Sequence, residues 1–231
     1  MDRYSEITNK NQREIVLLKA FPCVWGKCSF CDYILDNSNF EDEINKLNFE
    51  VLENITGKYK VLEVINSGSC LEHSQIFVDF EENKKKRKEK KIEKLFLESH
   101  WAYKNRIQEM RDYFEIPIIF KIGVETFDYD FRNGYLNKNA KFKTVEELKE
   151  YFDSPCIMVG IKGQTREMID RDMDIVLNNF DHATINVFVN NTSSVKRDEE
   201  LVNWFSNKYK HLVDNPKIEI LFNNTDFGVG D

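Results

Sequence analysis

Apolar positions along the chain fall into short, nearly continuous runs separated by stretches of helical spacing. Ile15-Val16-Leu17-Leu18, within Glu14 to Ala20, is the first run. It does not alternate with polar residues, which predicts a strand covered on both faces. From Asn39 to about Asn54, Phe40, Ile44, Leu47 and Val51 recur at spacings of three and four behind an acidic first turn, which predicts a helix. The rhythm then repeats. Strands are expected at Tyr59 to Ile65, Glu93 to Glu98, Ile118 to Val124, Pro155 to Ile161 and His182 to Val189, with a short last one at Lys217 to Phe222. Helices are expected at Ala102 to Phe114, from Thr144, at Thr165 to Asn179 and at Asp198 to Leu212. Ile116-Pro117 stops the first of these. Thr144-Val145-Glu146-Glu147 has the capping-box pattern. Leu71 to Lys90 reads as a further helix with a basic end.

Six strand–helix alternations without a linker rich in Pro, Gly or Ser predict one α/β domain over residues 1–231. Its parallel core would span about 14–212, with a final strand and tail at 213–231. Such sheets bind ligands at the carboxyl ends of their strands. The segments that follow strands are therefore expected at one mouth. They are the cysteine loop after Ala20, Asn66-Ser67-Gly68-Ser69, His100-Trp101, Glu125, the Gly160–Gly163 turn and Asn190-Asn191.

Charge narrows the choice of substrate. The net charge of −7 disfavours a large polyanion, because nucleic-acid binding is dominated by phosphate neutralisation. Lys84-Lys85-Lys86-Arg87-Lys88-Glu89-Lys90-Lys91 is a local exception, read as a solvated face or as a nucleic-acid patch. No run of 18 apolar residues occurs, so no membrane span is expected. The first residues have no apolar signal-peptide core. Five cysteines, an odd number clustered on one side, do not suggest a disulfide framework, and a reducing cytoplasm is the expected setting.

Three of those cysteines, Cys23, Cys28 and Cys31, are spaced C-x4-C-x2-C on the loop after the first apolar run. Thiolates grouped in this way suit a soft metal centre. Three of them leave a four-iron cubane one ligand short, with one iron open. Plant-type ferredoxins share the spacing but need a fourth cysteine, for which Cys70 is the near candidate. A structural zinc site would need His73 or His100 as its fourth ligand. A chance trio of buried thiols also stays open. Cys156, inside an apolar run, reads as core packing, and His182 and His211 as structural or exposed.

With Phe30 just before its last cysteine, this loop resembles that of the radical S-adenosylmethionine (SAM) superfamily, although the first gap is one residue longer than the usual C-x3-C-x2-C. Later segments agree in order. Val64-Ile65-Asn66-Ser67-Gly68-Ser69 resembles the "SGS" turn of the branch that contains archaeosine synthase and the Elongator catalytic subunit. Lys121-Ile122-Gly123-Val124-Glu125-Thr126 resembles that branch's "GLET" segment. Phe131 to Lys138 continues the match, and Met158 to Thr165 is similar to its "VGFPGET" turn.

The resemblance implies a partial (β/α)6 TIM-like barrel. It implies a [4Fe-4S] cluster on Cys23, Cys28 and Cys31, and SAM held by Phe30, Asn66, Ser67, Gly68, Ser69, Glu125, Lys138, Gly160 and Ile161. It also implies reductive cleavage of SAM to a 5′-deoxyadenosyl radical, with electrons from a donor such as flavodoxin or ferredoxin. Among compact members near that branch, the chain resembles the queuine lyases of bacterial queuosine salvage. That implies C–N cleavage of free queuine with release of the 7-deazaguanine preQ1. Action on tRNA or on another metabolite is the alternative. A deazaguanine needs a carboxylate, amide partners and aromatic walls. By position, the candidates are Tyr33, His100, Phe188, Asn190 and Asp226.

Overall fold

The computed structural model describes residues 1–72 and 88–230. Its strands are β1 (Tyr4–Ile7), β2 (Arg13–Leu18), β3 (Val61–Asn66), β4 (Lys94–Glu98), β5 (Ile118–Glu125), β6 (Ser154–Val159), β7 (Ala183–Val187) and β8 (Ile218–Leu221). They are hydrogen-bonded in chain order in one eight-stranded sheet. β1 is antiparallel to β2. From β2 to β4 and from β5 to β8 each registered pair is parallel. Consecutive order is the mark of barrel-type βα winding, whereas a doubly wound sheet reverses at a switch point. The fold class is the partial TIM-like barrel of the radical SAM type.

The chain forms two compact units. The first comprises residues 1–26, 33–120 and the tail from Phe227. All six residues of β2 are buried, as its unbroken apolar run requires. Two charged residues open that strand. Arg13 donates to Glu63 at 2.6 Å, and its guanidinium faces the Phe96 and Phe227 rings at 5.1 and 5.0 Å. The Glu14 carboxylate accepts from the Tyr4 hydroxyl, the Thr56 amide and hydroxyl, and the Gly57 amide. Both charges are thus compensated, which burial demands. Helix α1 (Glu41–Glu53) buries Ile44, Asn48, Val51 and Leu52. Helix α2 (Ile107–Phe114) is preceded by a 3-10 segment, Trp101–Arg106. The tail closes the unit, with Val229 packed on Ile15 and Leu17 and Gly230 bridged to Asp2.

The second unit comprises residues 27–32 and 121–226. It holds the end of β5, strands β6 to β8, and helices α3 (Val145–Lys149), α4 (Arg166–Asn179) and α5 (Glu199–Tyr209). Each helix begins on a polar cap: Thr144, Thr165 and Asp198 accept from the amides of Glu147, Met168 and Leu201. The capping box is incomplete, because Glu147 reaches the Lys143 amide and not that of Thr144. At the strand starts, His182 Nδ1 lies 2.7 Å from Ser154 Oγ and Nε2 lies 3.1 Å from Glu219 Oε2. His182 is therefore structural, linking β6, β7 and β8.

Several sequence expectations need correction. β1 was not foreseen, because its four half-buried residues carry no apolar run. The Ala102-to-Phe114 helix is α-helical only in its second half. The helix from Thr144 is only five residues long. Most of the expected Leu71-to-Lys90 helix, with half of the basic run and His73, lies outside the described residues.

Candidate active site

In the first unit, β2 delivers the chain to the cysteine loop. The buried Asn48 carboxamide fixes the exit, accepting from the Lys19 amide at 2.8 Å and donating to its carbonyl at 3.0 Å. Ser67 Oγ accepts from the Ala20 amide at 3.0 Å and from Asn37 Nδ2 at 3.0 Å. Ser69 Oγ lies 3.1 Å from Ser99 Oγ and accepts from the His100 amide at 3.4 Å. The two hydroxyls of the Ser67-Gly68-Ser69 turn thus tie the ends of β2, β3 and β4 together. Gly68 between them lets the turn pack closely against the chain that follows β2. A Cβ on Gly68 would stand 3.2 Å from the Phe21 carbonyl oxygen. Asn66 Oδ1 accepts from the Gly68 amide at 3.0 Å, which sets the turn. His100 caps the 3-10 segment, its Nδ1 accepting from the Ala102 amide. Tyr33 is 40 % exposed on a 3-10 turn.

In the second unit, β5 ends irregularly. Its pairing with β6 shifts register between Gly123 and Glu125. The Glu125 backbone is left-handed, with φ 64°, a conformation that costs a non-glycine residue roughly 1–3 kcal/mol. There Glu125 Oε1 meets Lys138 Nζ at 2.7 Å, with both side chains largely buried. Gly123 makes the space, since a Cβ on it would lie 2.4 Å from Glu125 Oε1 and 2.7 Å from Lys138 Nζ. Lys138 Nζ also stands 5.4 Å from the centre of the Phe30 ring. Phe30 packs with Leu136, Met158, Ile161, Phe188 and Val195. Gly160 and Gly163 both have positive φ. Gln164 straps their turn, accepting from the Ile161 amide at 3.0 Å and donating to the Met158 carbonyl at 2.8 Å.

The cysteine-loop segment in this unit, 27–32, is pinned along its length. The Ser29 amide donates to the Leu136 carbonyl, Asn137 Nδ2 to the Lys27 carbonyl, and Asn191 Nδ2 to the Phe30 carbonyl, at 2.9, 2.7 and 2.8 Å. Asp32 accepts from both the amide and the hydroxyl of Thr192. The structure therefore brings Phe30, Glu125, Lys138, Ile161 and Phe188 together in this unit. Asn190 and Asp226 serve their own turns. Asn190 Oδ1 accepts from the Arg197 amide, and Asp226 Oδ2 accepts from the amides of Phe222 and Asn223. Sequence reasoning missed Gly123, Gln164 and Asn137. A glycine inside an apolar strand was the one available signal, since it marks a bulge or a close approach.

None of the five cysteines is disulfide-bonded. Among the described residues, no group of three His, Cys, Asp or Glu side chains stands assembled as a metal site. The fit to a cluster rests instead on the donor set. Cys23, Cys28 and Cys31 are half-buried, within reach of a ligand. Cys70 is buried and donates its thiol to the Val64 carbonyl, and Cys156 is buried in β6. The reachable thiols are thus the three of the C-x4-C-x2-C loop, a soft set that suits iron–sulfur ligation.

Barrel-type winding, this loop after β2, and the Glu125–Lys138 pair with the glycine turn after β6 define a radical SAM enzyme. No protein-family model and no curated protein matches the chain. A solved structure does: the queuine lyase from Clostridium spiroforme bound to SAM and queuine. It is 53 % identical, with a TM-score of 0.95 over 100 % of both chains. The chain belongs to the queuine lyase family.

Proposed function

We propose that this protein is a SAM-dependent lyase that cleaves the C–N bond of free queuine and releases preQ1. The observation that carries this reading is the 53 % identity, over the full length of both chains, to a queuine lyase bound to SAM and queuine. The net charge of −7 supports a small base over tRNA. When bound, a four-iron cluster would supply the electron that converts SAM to a 5′-deoxyadenosyl radical. Cys23, Cys28 and Cys31 would hold that cluster. The chain's other residues place and shield the reactants. Glu125 and Lys138 offer opposite charges to the amino-acid end of SAM, and Phe30 and Ile161 apolar surface to its adenine; the Asn66-Ser67-Gly68-Ser69 turn is a further candidate for the amino-acid end.

For the base, Asp226 is the candidate carboxylate, and Tyr33, His100, Phe188 and Asn190 are the other candidate contacts. Asp226 Oδ2 already accepts from two turn amides, whereas Oδ1, which accepts from Asn223 Nδ2 at 3.3 Å, keeps a second lone pair for a ligand. A flavodoxin or ferredoxin would supply the electron. The chain crosses between the two units after residues 26, 32, 120 and 226, which supports reading 1–231 as one functional domain. Among the described residues, no helix is long and apolar enough to cross a membrane, in keeping with a cytoplasmic setting.

The test is anaerobic reconstitution, reduction, and mass spectrometry of reactions with queuine and with queuosine-containing tRNA. PreQ1 and 5′-deoxyadenosine are expected from queuine only. SAM cleavage without preQ1 would refute the lyase assignment, and product from the tRNA would favour the alternative substrate.

A further inference from the structure

Glu125 carries its carboxylate on a backbone that its own sequence does not favour. The Thr126 amide donates to the Val124 carbonyl at 2.8 Å, closing a three-residue turn with Glu125 at its left-handed centre. A strained residue keeps its conformation only where its surroundings over-determine it. What does so here is the next peptide unit, Thr126–Phe127, which is gripped at both ends. Its carbonyl accepts from Arg132 Nη1 at 2.9 Å, and its N–H donates to Asp172 Oδ1 at 2.8 Å. The Thr126 hydroxyl also bonds to the Asp172 carboxyl.

Both gripping side chains are buried, Asp172 at 0 % and Arg132 at 1 % exposure. Arg132 also donates through Nε to the Ala140 carbonyl and through Nη2 to the Phe142 carbonyl. Its own carbonyl accepts from the Lys138 amide at 3.0 Å. One arginine therefore holds the backbone on both sides of the Glu125–Lys138 pair. Asp172 Oδ2 is buried with no hydrogen-bond partner. An aliphatic side chain on the buried face of α4 would avoid that cost, so the carboxylate is kept for what Oδ1 does.

We propose that Asp172, acting with Arg132, is a positioning residue for SAM: it locks the Thr126–Phe127 peptide so that Glu125 is held in its left-handed conformation against Lys138. This deepens the lyase reading and rests on it for the identity of the ligand. Asp172 touches no reactant. Its effect runs through the peptide plane to the carboxylate.

The experiment measures SAM affinity in anaerobically reconstituted protein, by equilibrium dialysis without turnover, beside cluster content, queuine affinity and melting temperature. Asp172→Leu is expected to raise the SAM dissociation constant at least tenfold. Cluster content and queuine affinity should stay within twofold. Asp172→Asn, which keeps an acceptor for the Phe127 amide, should recover most of the loss. Unchanged SAM affinity, or an equal loss for SAM and queuine alongside a lower melting temperature, would mean that Asp172 only supports the fold, and overturns the proposal. If Asp172→Leu does not fold, Arg132→Lys decides: it keeps the charge but cannot reach all three carbonyls. A folded Arg132→Lys protein with wild-type SAM affinity overturns the proposal, and a threefold or greater loss upholds it. A wild type that does not bind SAM also overturns it. A wild type that binds SAM yet makes no preQ1 sinks the lyase reading alone and leaves Asp172 to be judged on binding.

Discussion

Gly123→Ala is the sharpest single test of where SAM binds, because it adds one methyl group and removes no polar atom. That methyl would arrive 2.4 Å from Glu125 Oε1 and 2.7 Å from Lys138 Nζ, where no Cβ fits. Both obstructing atoms end flexible side chains, so the strand persists and the ion pair moves. Gly123 lies within β5, without a positive φ. Replacement by alanine therefore reduces unfolded-state entropy, a gain of about 0.4–1 kcal/mol, which partly offsets the cost of shifting the pair. The melting temperature should change little. Binding should suffer more, since one hydrogen bond to a charged group is worth about 1.5–3 kcal/mol. With a factor of ten for each 1.4 kcal/mol, SAM affinity should fall roughly 10- to 150-fold. Equilibrium dialysis of reconstituted protein, with melting followed in parallel, reads both quantities. A SAM dissociation constant within twofold of wild type would refute the placement of SAM at this pair. A collapse in melting temperature would refute the claim that the side-chain ends absorb the added methyl.

The remaining predictions concern metal, pH and substrate. Cys28→Ala should abolish a cluster that otherwise gives about four irons per chain, whereas Cys70→Ala and Cys156→Ala should retain it; iron and sulfide assays decide. Asp172 has its carboxyl pushed up to about 6 by burial, against the pull of Arg171 and with Asp128 and Arg132 nearby. A raised acid pKa favours the protonated folded form, so this group's contribution to stability is complete below about pH 4, declines as pH rises to about 6, and is then constant. With about 1.4 kcal/mol per pKa unit, Asp172→Asn should gain roughly 3 kcal/mol relative to wild type between pH 3 and pH 7. A pH-independent difference in denaturant titrations would contradict this. Asp226→Ala should weaken queuine about tenfold or more, the cost of leaving its donors unpaired, while SAM affinity stays constant. Asp226→Asn, which retains an acceptor for the Phe222 and Asn223 amides, should lose less, as isothermal titration with each ligand would report.

The parallel strands were legible because an unbroken run such as Ile15–Leu18 has few other places to go than a doubly covered sheet. The helix starts near Thr165 and Asp198 were equally local and equally readable. Cys23, Cys28, Cys31 and the segments around Ser67, Glu125 and Gly160 could be singled out because each needs particular residue types at fixed spacing. The roles of individual polar groups were not legible. That the Ser67 and Ser69 hydroxyls turn into the protein depends on Ala20, Asn37 and Ser99, which only the folded sheet brings near. Asp172 lies on the buried face of a helix where periodicity predicts an apolar residue, and its partner Phe127 is distant in sequence. Such a conflict between local pattern and burial is the signature expected of a functional constraint.

The Arg13 sandwich has a consequence for biosynthesis. One slice of it, Phe227, and the neighbouring Val229 that seals Ile15 and Leu17, come from the far end of the sequence. A ribosome releases β2 early and these two residues late. Throughout that interval the nascent first unit holds a buried cation with one aromatic face uncovered and an apolar strand missing its lid. Closing such sequence-distant contacts is slow, and exposed apolar strand is what chaperones capture and what aggregates. The amino-terminal segment should therefore reach protease resistance only after the tail emerges. Arrested nascent chains that end just before Phe227 should remain cleavable within β2.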